Sequence, residues 1–344
     1  MSSFRRHSAA INDMITPTIP GVRRWLNGSY LTSSGIPGFD ESLGGGLPVK
    51  SFVLIKHDTP SSNYLTWLRC FLAEGIGRGH CVVQCSPDDS ISPSTIPMII
   101  APKKKKPQSE APQQFKISWR YQNSAKPSST SPVSSLNFDL SRSMSSESWK
   151  ANAPFLISLR SFSEYHYGSQ NYFDDLLTRV RSHLAMKKCM GEDGVPFNMA
   201  RVIIHSPVSP FLGCDPNSSL RSLVKFFHGL KALARESFSI IMVSLPVDLM
   251  SSEDVSRLEY LSDIVLSMHS FIGKPAIYGP FDGIMRIEKS SSTLNVPESD
   301  EFLFKLKKTE VIVERVALPV ETSDKELQAD SSACSGALPA TLQF

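Results

Sequence analysis

The sequence has no uninterrupted apolar segment near the ~20 residues that a membrane-spanning helix requires. Its first ten residues, MSSFRRHSAA, also lack the apolar stretch of a secretory signal. The 36 lysines and arginines barely outnumber the 33 aspartates and glutamates, which gives a net charge of +3. We therefore expect a soluble intracellular protein without membrane contact, in which any contact with nucleic acid depends on a local basic patch.

Spacings typical of metal sites or catalytic constellations are also missing. The six cysteines form no CxxC pair and have no histidine at zinc-ligand spacing. We expect free thiols in a reducing compartment and no bound metal. No nucleophilic triad, carboxylate pair or HExxH motif occurs at a recognisable spacing. The sequence therefore assigns no catalytic residue.

A strand, a loop and a helix follow one another in the first third of the chain. The glycine-rich segment Leu43–Pro48 precedes a buried strand predicted at Ser51–Lys56. The loop His57–Asn63 leads into a helix predicted at Tyr64–Glu74, with Gly75 as its expected end. In P-loop proteins, the backbone N–H groups of such a loop and the helix dipole face a phosphate. The order of elements therefore indicates the position of a phosphate-binding loop.

This loop contains neither glycine nor lysine. Phosphate-binding loops need glycine so that the backbone can curl around the phosphates, and lysine to reach the terminal ones. Asp58 instead places a negative charge where a phosphate would lie. Two interpretations stay open: an ordinary connecting loop on an inherited fold, or a weakened nucleotide pocket. In the second, the residues that contact the nucleotide are Thr59, Ser61, Ser62 and Asn63.

The buried strand Arg201–His205 is the best candidate for carrying a magnesium ligand. P-loop enzymes hold Mg²⁺ with an aspartate at the end of such a strand. Here His205 and Ser206 occupy that point, and Asp215 lies too far along the chain to replace it. His205 is therefore either a metal ligand or a hydrogen-bonded histidine at a strand end.

Alternation of strands and helices in the second half predicts a mostly parallel sheet flanked by helices. The clearest helix, Ser219–Glu236, is followed by a strand at Phe238–Leu245 and a helix at Ser252–Leu261. From Asp263–His269 to Val311–Ala317, the predicted strands come without helices between them. The fold class is therefore α/β, with an antiparallel edge near the C-terminus.

Composition divides the chain into one folded domain and several polar segments. We expect the domain at residues 21–320, a disordered arm at 1–20 and a disordered tail at 321–344. Proline, serine and lysine dominate at about 87–114, and serine at about 123–147. Both are predicted as low-complexity insertions, the first with too few apolar residues to join a core.

Basic residues form two candidate contacts with nucleic acid. The helix at Ser219–Glu236 carries a basic stripe opposite its apolar face: Arg221, Lys225, His228, Lys231 and Arg235. The stripe either follows a nucleic-acid backbone or is a solvated helix face, and the run Lys103–Lys106 has the same ambiguity. Trp119 and Tyr121, in a strand predicted at Lys116–Tyr121, either stack on a base or pack in the core.

Five segments spread along the chain carry a family resemblance: Asn27–Leu47, Phe71–His80, Lys116–Gln122, Leu261–Gly273 and Phe304–Lys308. The chain resembles the family of the fourth Elongator subunit. The matching segments extend over about residues 21–319 and are specific as a set. The glycine-rich segment alone fits many RecA-like ATPases.

This resemblance implies a RecA-like fold and a hetero-hexameric ring built with the fifth and sixth Elongator subunits. In the family, the ring docks on the catalytic Elongator subcomplex, binds tRNA and supports modification of the wobble uridine, in the cytoplasm and the nucleus. Degenerate phosphate-binding loops are characteristic of this subunit. The resemblance therefore implies a subunit that is not an enzyme by itself and has no tightly bound cofactor, with any ATP at ring interfaces.

If the ring binds tRNA through this chain, the candidate contacts are Arg221, Lys225, Lys231 and Arg235. Two rival functions stay open beside this one. An active RecA-like ATPase of the recombinase or clock-ATPase kind would need the missing lysine and acid. A pure scaffold would bind neither nucleotide nor RNA.

Overall fold

A computed structural model describes the central part of the chain and leaves several segments out. The described residues are 19–25, 28–59, 61–100, 135–190, 198–214, 219–273, 279–291 and 300–316. The arm predicted at 1–20 lies outside them apart from residues 19 and 20, and so does the whole tail predicted at 321–344. Lys103–Lys106 and the strand predicted at Lys116–Tyr121 also lie outside the described residues.

Fourteen strands occur in the described part of the chain. Their bounds are β1 Val22–Arg24, β2 Tyr30–Thr32, β3 Leu47–Pro48, β4 Ser51–His57, β5 Cys81–Ser86, β6 Pro97–Ile100, β7 Asn137–Ser143, β8 Phe155–Ser158, β9 Ala200–His205, β10 Ser239–Pro246, β11 Ile264–Ser270, β12 Gly283–Lys289, β13 Asp300–Leu306 and β14 Val311–Arg315. Nine of them form one large sheet, β1–β3 form a small antiparallel sheet, and β6 and β7 pair with each other.

The large sheet has the order β14-β13-β12-β11-β4-β10-β9-β5-β8. The six strands from β11 to β8 run parallel, and β12, β13 and β14 continue the sheet in antiparallel pairing. β4 lies between β10 and β11, with Phe52 opposite Ile241 of β10. The predicted α/β class is therefore confirmed: a mostly parallel sheet flanked by helices, with an antiparallel edge near the C-terminus.

Helices cover both faces of this sheet. Their bounds are α1 Pro37–Ser42, α2 Asn63–Arg78, α3 Ser146–Ala151, α4 Gln170–Met186, α5 Leu220–Glu236 and α6 Ser252–Leu261. Short 3₁₀ turns follow three strands at Leu159–Phe162, Pro210–Leu212 and Val247–Leu249. Within the described residues, no helix is long and apolar enough to cross a membrane.

Side chains of β4 alternate between two hydrophobic cores, as a strand covered on both faces requires. Val53 and Ile55 pack on the core that contains α2, whereas Phe52 and Leu54 pack on the core beneath α4, α5 and α6. All four side chains are almost completely buried. β4 is therefore held at the centre of the molecule, and the loop that follows it starts from a fixed point.

The predicted end of α2 at Gly75 is wrong. The helix continues to Arg78, and Gly79 closes it with a left-handed φ of 74°. Gly75 lies inside the helix because β9 packs against it: a Cβ at this position would come 2.7 Å from Cδ of Arg201. The glycine serves a close approach between helix and sheet, which periodicity does not distinguish from a helix end.

Parts of both predicted insertions are folded. Within 87–114, Ile91 and Ile96 are buried in the core and residues 97–100 form β6, so the prediction of too few apolar residues is wrong there. Within 123–147, residues 137–143 form β7, the partner of β6. Residues 101–134 lie outside the described part of the chain.

Arg201 of β9 is completely buried between the sheet, α2 and the small sheet. Its guanidinium donates to the carbonyl oxygens of Phe71 at 3.2 Å and Ser33 at 2.8 Å, to Thr32 Oγ1 at 2.9 Å, and to His80 Nδ1 at 3.1 Å. Burial lowers the pKa of Arg201 to about 10, opposed by nearby carboxylates, so the group stays charged at neutral pH. This one side chain joins the N-terminal segment to the main sheet.

His80 completes this buried network. Its Nδ1 accepts from Arg201, and its Nε2 lies 2.7 Å from the carbonyl oxygen of Pro20. An imidazole that accepts at one nitrogen and donates at the other is neutral. Burial, together with the charge of Arg201, lowers the pKa of His80 to about 3, in agreement with that state.

Candidate functional site

The loop after β4 lies at the carboxyl edge of the sheet, between the loops that follow β10 and β11. It begins at His57, the last residue of β4, and ends at Asn63, the first residue of α2. Residue 60 lies outside the described part of the chain. In parallel α/β sheets, ligands bind at this edge, so the loop occupies the position predicted for phosphate binding.

Hydrogen bonds tie this loop to the loops on both sides. The backbone N–H of Thr59 donates to Asp248 Oδ2 at 2.7 Å, in the turn that follows β10. In the other direction, the backbone N–H of Ser270, at the end of β11, donates to Asp58 Oδ2 at 3.0 Å. One loop N–H therefore donates to a carboxylate of the chain itself where a phosphate-binding loop would present it to a ligand, and Asp58 of the loop is held by the end of the neighbouring strand.

The other predicted nucleotide contacts have local partners or face outward. Ser61 is buried, and its Oγ accepts from the backbone N–H of Asn63 at 3.1 Å. The side-chain amide of Asn63 lies 3.5 Å from both Ser270 Oγ and the carbonyl oxygen of Asp282. Ser62 is exposed and precedes the first residue of α2 without a side-chain capping bond. The fold thus brings all four predicted contacts, Thr59, Ser61, Ser62 and Asn63, to one edge of the sheet, but those with hydrogen bonds have different partners.

An aromatic pair fills the space beside the loop. The rings of His57 and Tyr64 are stacked, with centroids 3.6 Å apart and an angle of 8° between their planes. Tyr64 also lies near the end of β9. Its ring centroid is 5.7 Å from that of His205, and its hydroxyl is hydrogen-bonded to the side chain of Ser206. Between this pair and the end of β11, the described residues leave no volume that a water molecule could occupy. Side chains of the chain itself therefore fill this small space.

Both histidines of this edge are neutral at physiological pH. Burial lowers the pKa of His57 to about 4, and burial likewise lowers the pKa of His205 to about 4. The Nδ1 atom of His57 lies 3.2 Å from the carbonyl oxygen of Asp58, so it carries the proton. His80 is neutral for the same reason, so all three histidines are uncharged at physiological pH. None of them supplies the positive charge that a phosphate site requires.

His205 is hydrogen-bonded at the end of β9. Its Nδ1 lies 2.9 Å from Ser244 Oγ and 3.3 Å from Ser206 Oγ. These are the hydrogen bonds expected of the second interpretation of His205, a hydrogen-bonded histidine at a strand end. No cluster of three or more potential metal ligands occurs within the described ranges.

The structure divides the basic stripe of α5 into two halves. Lys231 Nζ and Arg235 lie 3.4 and 3.8 Å from Asp263 Oδ1, so this carboxylate partly neutralises the C-terminal half. Arg221 and Lys225 are exposed in the N-terminal half. This surface lies on the face of the sheet that α4, α5 and α6 cover, and it is separate from the loop after β4.

Comparison with known proteins places the chain in a family. The PAXNEB protein family matches residues 16–341. The chain belongs to that family. Proteins named Elongator complex protein 4 are similar over most of their length: that of Xenopus laevis is 32% identical over 90% of this chain and 85% of the relative. Those of Mus musculus and Homo sapiens are 31% and 30% identical, each over 90% of this chain and 81% of the relative. The resemblance to the fourth Elongator subunit is thereby confirmed.

A solved structure is also similar. The KaiC-like protein PH0186 of Pyrococcus horikoshii OT3 aligns with a TM-score of 0.48 and 14% identity, over 85% of this chain and 99% of that chain.

Asp88 is a residue of this edge that the sequence analysis missed. It lies two residues beyond the end of β5, and its Oδ1 accepts from the backbone N–H of Ser90 at 3.0 Å and from Ser86 Oγ at 3.2 Å. Burial raises the pKa of Asp88, but these hydrogen bonds and the neighbouring His205 outweigh it, so the net shift is downward. An acid directly after a buried strand was the available signal. Asp88 adds a further negative charge beside Tyr64 and His205.

Proposed function

We propose that the chain serves as a non-catalytic, RecA-like subunit of the Elongator complex. In this proposal it joins the fifth and sixth Elongator subunits in a hetero-hexameric ring, docked on the catalytic subcomplex in the cytoplasm and the nucleus. The ring binds tRNA and supports modification of the wobble uridine. Membership of the PAXNEB family supports the place in the complex. The loop after β4 supports the absence of catalysis.

One observation carries the non-catalytic part of the proposal: carboxylates of the chain itself surround the loop after β4. Asp248 accepts the N–H of Thr59, and Asp58 is fixed by Ser270. Phosphoryl transfer depends on positive groups that stabilise the charge of the transferred phosphate. The loop after β4 offers carboxylates in their place, and the stacked His57–Tyr64 pair closes the adjacent space. Where ATP acts, it acts at interfaces of the assembled ring.

ATP turnover tests this part directly. The isolated chain should hydrolyse ATP at a rate far below ~1 s⁻¹, the low end for phosphoryl-transfer enzymes. Labelled ATP should be retained on a filter, if at all, by the assembled ring and not by the isolated chain. Turnover near 1 s⁻¹ by the isolated chain would instead establish the active ATPase.

For tRNA binding, we propose that the chain contributes through Arg221 and Lys225. Both are exposed on α5, and neither forms an ion pair with the described residues, so their charge is available to a phosphate. Lys231 and Arg235 contribute less because Asp263 lies between them and partly cancels their charge. Weak patches repeated around a ring bind one ligand through high effective concentration.

Charge reversal in the assembled ring tests this contribution. Arg221→Glu with Lys225→Glu should weaken the binding of all tRNAs alike and lower the salt dependence by about 0.7–0.9 in log–log slope for each lost phosphate contact. The matched control is Lys150→Glu with Arg160→Glu, which changes the charge equally at two exposed positions away from α5. Equal affinity and slope in both double variants would refute the α5 contact. A ring that assembles but retains neither tRNA nor ATP would establish the pure scaffold.

A further inference from the structure

A groove with mainly aliphatic walls lies on the α2 side of the large sheet, between α1, the paired strands β6 and β7, and β14. Its volume is about 630 Å³. Five of the residues that line it are half-buried aliphatic residues: Ile100, Leu136, Leu140, Val311 and Val313. Ile36 and Phe138 also line it and are buried. No residue of the loop after β4 lines this groove, and the proposed function does not use it.

Strand edges border the groove. β7 and β14 each lie at one end of their sheet. Each therefore has a backbone edge that no described strand covers. A strand edge beside an apolar surface is the arrangement to which an extended segment binds, with main-chain hydrogen bonds for affinity and alternate side chains for specificity. The shape of the groove thus favours an extended segment as its occupant.

The chain leaves the described residues at this groove and re-enters them there. Ile100 is the last residue of β6, Leu136 directly precedes β7, and both line the groove. Within residues 101–134, which connect them, one cluster of bulky apolar residues occurs, at Phe115–Tyr121. A chain of about 15 residues, the length of either connection to this cluster, reaches up to ~50 Å when extended. The cluster can therefore reach every part of the groove.

The cluster has the alternation of an amphipathic strand. Its bulky apolar residues occupy every second position: Phe115, Ile117, Trp119 and Tyr121. The positions between them are polar: Lys116, Ser118 and Arg120. Alternate residues of a strand lie on one face, so an extended conformation presents four large apolar side chains together. Such a face is stabilised by burial against another apolar surface.

We propose that the groove binds the segment Phe115–Tyr121 of the same chain as an additional strand. Its apolar face covers Leu140 and Val311, and its polar face points to solvent. Because both connections start at the groove, the segment competes at a millimolar effective concentration, which a separate partner would have to exceed. A nucleic-acid strand would place its phosphates on an aliphatic surface. Trp119 and Tyr121 accordingly pack in the core and do not stack on a base.

Site-specific photo-crosslinking in the full-length chain tests the occupant. p-Benzoylphenylalanine replaces Trp119 in one sample and Arg120, its neighbour on the opposite face, in the control. Each sample mixes ¹⁵N-labelled and unlabelled chains. Position 119 should crosslink to residues 136–140 or 309–313 of the same chain, several-fold more than position 120. Equal yields at both positions, or crosslinks between labelled and unlabelled chains, would overturn the proposal. So would crosslinks to tRNA or another subunit when the assembled ring is irradiated.

A double-mutant cycle supplies an independent readout. Trp119→Ala should lower the urea midpoint of unfolding by about 0.5 M or more, and Arg120→Ala should leave it unchanged. Leu140→Ala should lower the midpoint less in the Trp119→Ala chain than in the original chain, because both changes remove the same contact. The control is Leu156→Ala, at a 48% exposed position on β8, which should act equally in both chains. Additive shifts for Trp119→Ala and Leu140→Ala would overturn the proposal.

Discussion

Replacing the buried Arg201 by alanine should be the most damaging single substitution among the charged residues described here. The change removes four hydrogen bonds. Their acceptors, which include the carbonyl oxygens of Phe71 and Ser33, stay buried without this donor. It also removes a buried cation beside the carboxylates of Glu74 and Asp40 and leaves Arg78 as the ion-pair partner of Glu74. Breaking a buried, hydrogen-bonded charge network costs ~3–5 kcal/mol, and an unfilled cavity adds to it.

Equilibrium unfolding in urea measures this cost. With a slope of about 2 kcal/mol per molar urea, a loss of about 4 kcal/mol shifts the midpoint by about 2 M. Arg181→Ala is the control, since it breaks an exposed ion pair with Glu236 and should cost no more than ~1 kcal/mol. Arg201→Met separates volume from hydrogen bonding. It fills most of the space but leaves the acceptors unsatisfied, so stability within about 1 kcal/mol of the original chain would refute the reasoning.

Three further expectations concern pH, the glycine-rich segment and the loop after β4. Lowering the pH from 7 to 5 should reduce the free energy of unfolding, because His57, His80 and His205 have folded pKa values of about 3 to 4. The stability they contribute above the ordinary value of ~6.5 is lost as the unfolded chain takes up protons. Asp40, whose pKa burial raises to about 6, acts in the opposite sense and offsets about one histidine; a urea midpoint that rises on acidification would contradict this. Gly46→Ala should cost ~1–3 kcal/mol more than Gly44→Ala in the same assay, since a Cβ at Gly46 would lie 2.5 Å from the carbonyl oxygen of Thr32 and one at Gly44 meets nothing; equal costs would argue against the clash. Asp248→Ala should lower the melting temperature by a few degrees. Sulfate should then raise the melting temperature of this variant by more than it raises that of the original chain, because the freed N–H of Thr59 can donate to the anion. Identical sulfate responses would refute that role of Asp248.

The sequence predicts the sheet well because its central strands are buried on both faces. Such strands appear as short continuous apolar runs, and the runs at Ser51–Lys56 and Phe238–Leu245 are confirmed within one or two residues as β4 and β10. The antiparallel edge was predictable for a different reason. Strands that follow one another without room for a crossover helix can only pair antiparallel.

Composition fails where a few apolar residues carry the packing. Ile91 and Ile96 are embedded among serines and prolines, so the segment reads as low complexity although both side chains reach the core. Gly75 misleads in the opposite way, since its role depends on Arg201, 126 positions along the chain. Both errors arise from contacts between distant segments, which local periodicity does not contain.

The candidate site was only half predictable for the same reason. The missing glycine and lysine and the negative charge of Asp58 are visible in the loop itself. The acceptor of the Thr59 N–H is Asp248, and the donor to Asp58 is Ser270; both lie about 200 residues away and reach the loop only through the order of β10, β4 and β11. The stack of Tyr64 on His57 likewise requires the loop to be folded back over the end of its own strand.

These contacts bear on how the subunit would behave within a ring. In a phosphate-binding loop, the free N–H groups are unsatisfied until the ligand arrives, so binding and loop order are linked. Here a carboxylate of the chain accepts the N–H of Thr59, and the acceptor is present whether or not ATP is. A ligand shifts a conformational equilibrium only by its differential affinity for the two states, and an N–H that is already satisfied offers it little to gain. On the proposed function, we therefore expect this loop to change little when ATP is present and any response of the ring to ATP to originate in a neighbouring subunit or at an interface.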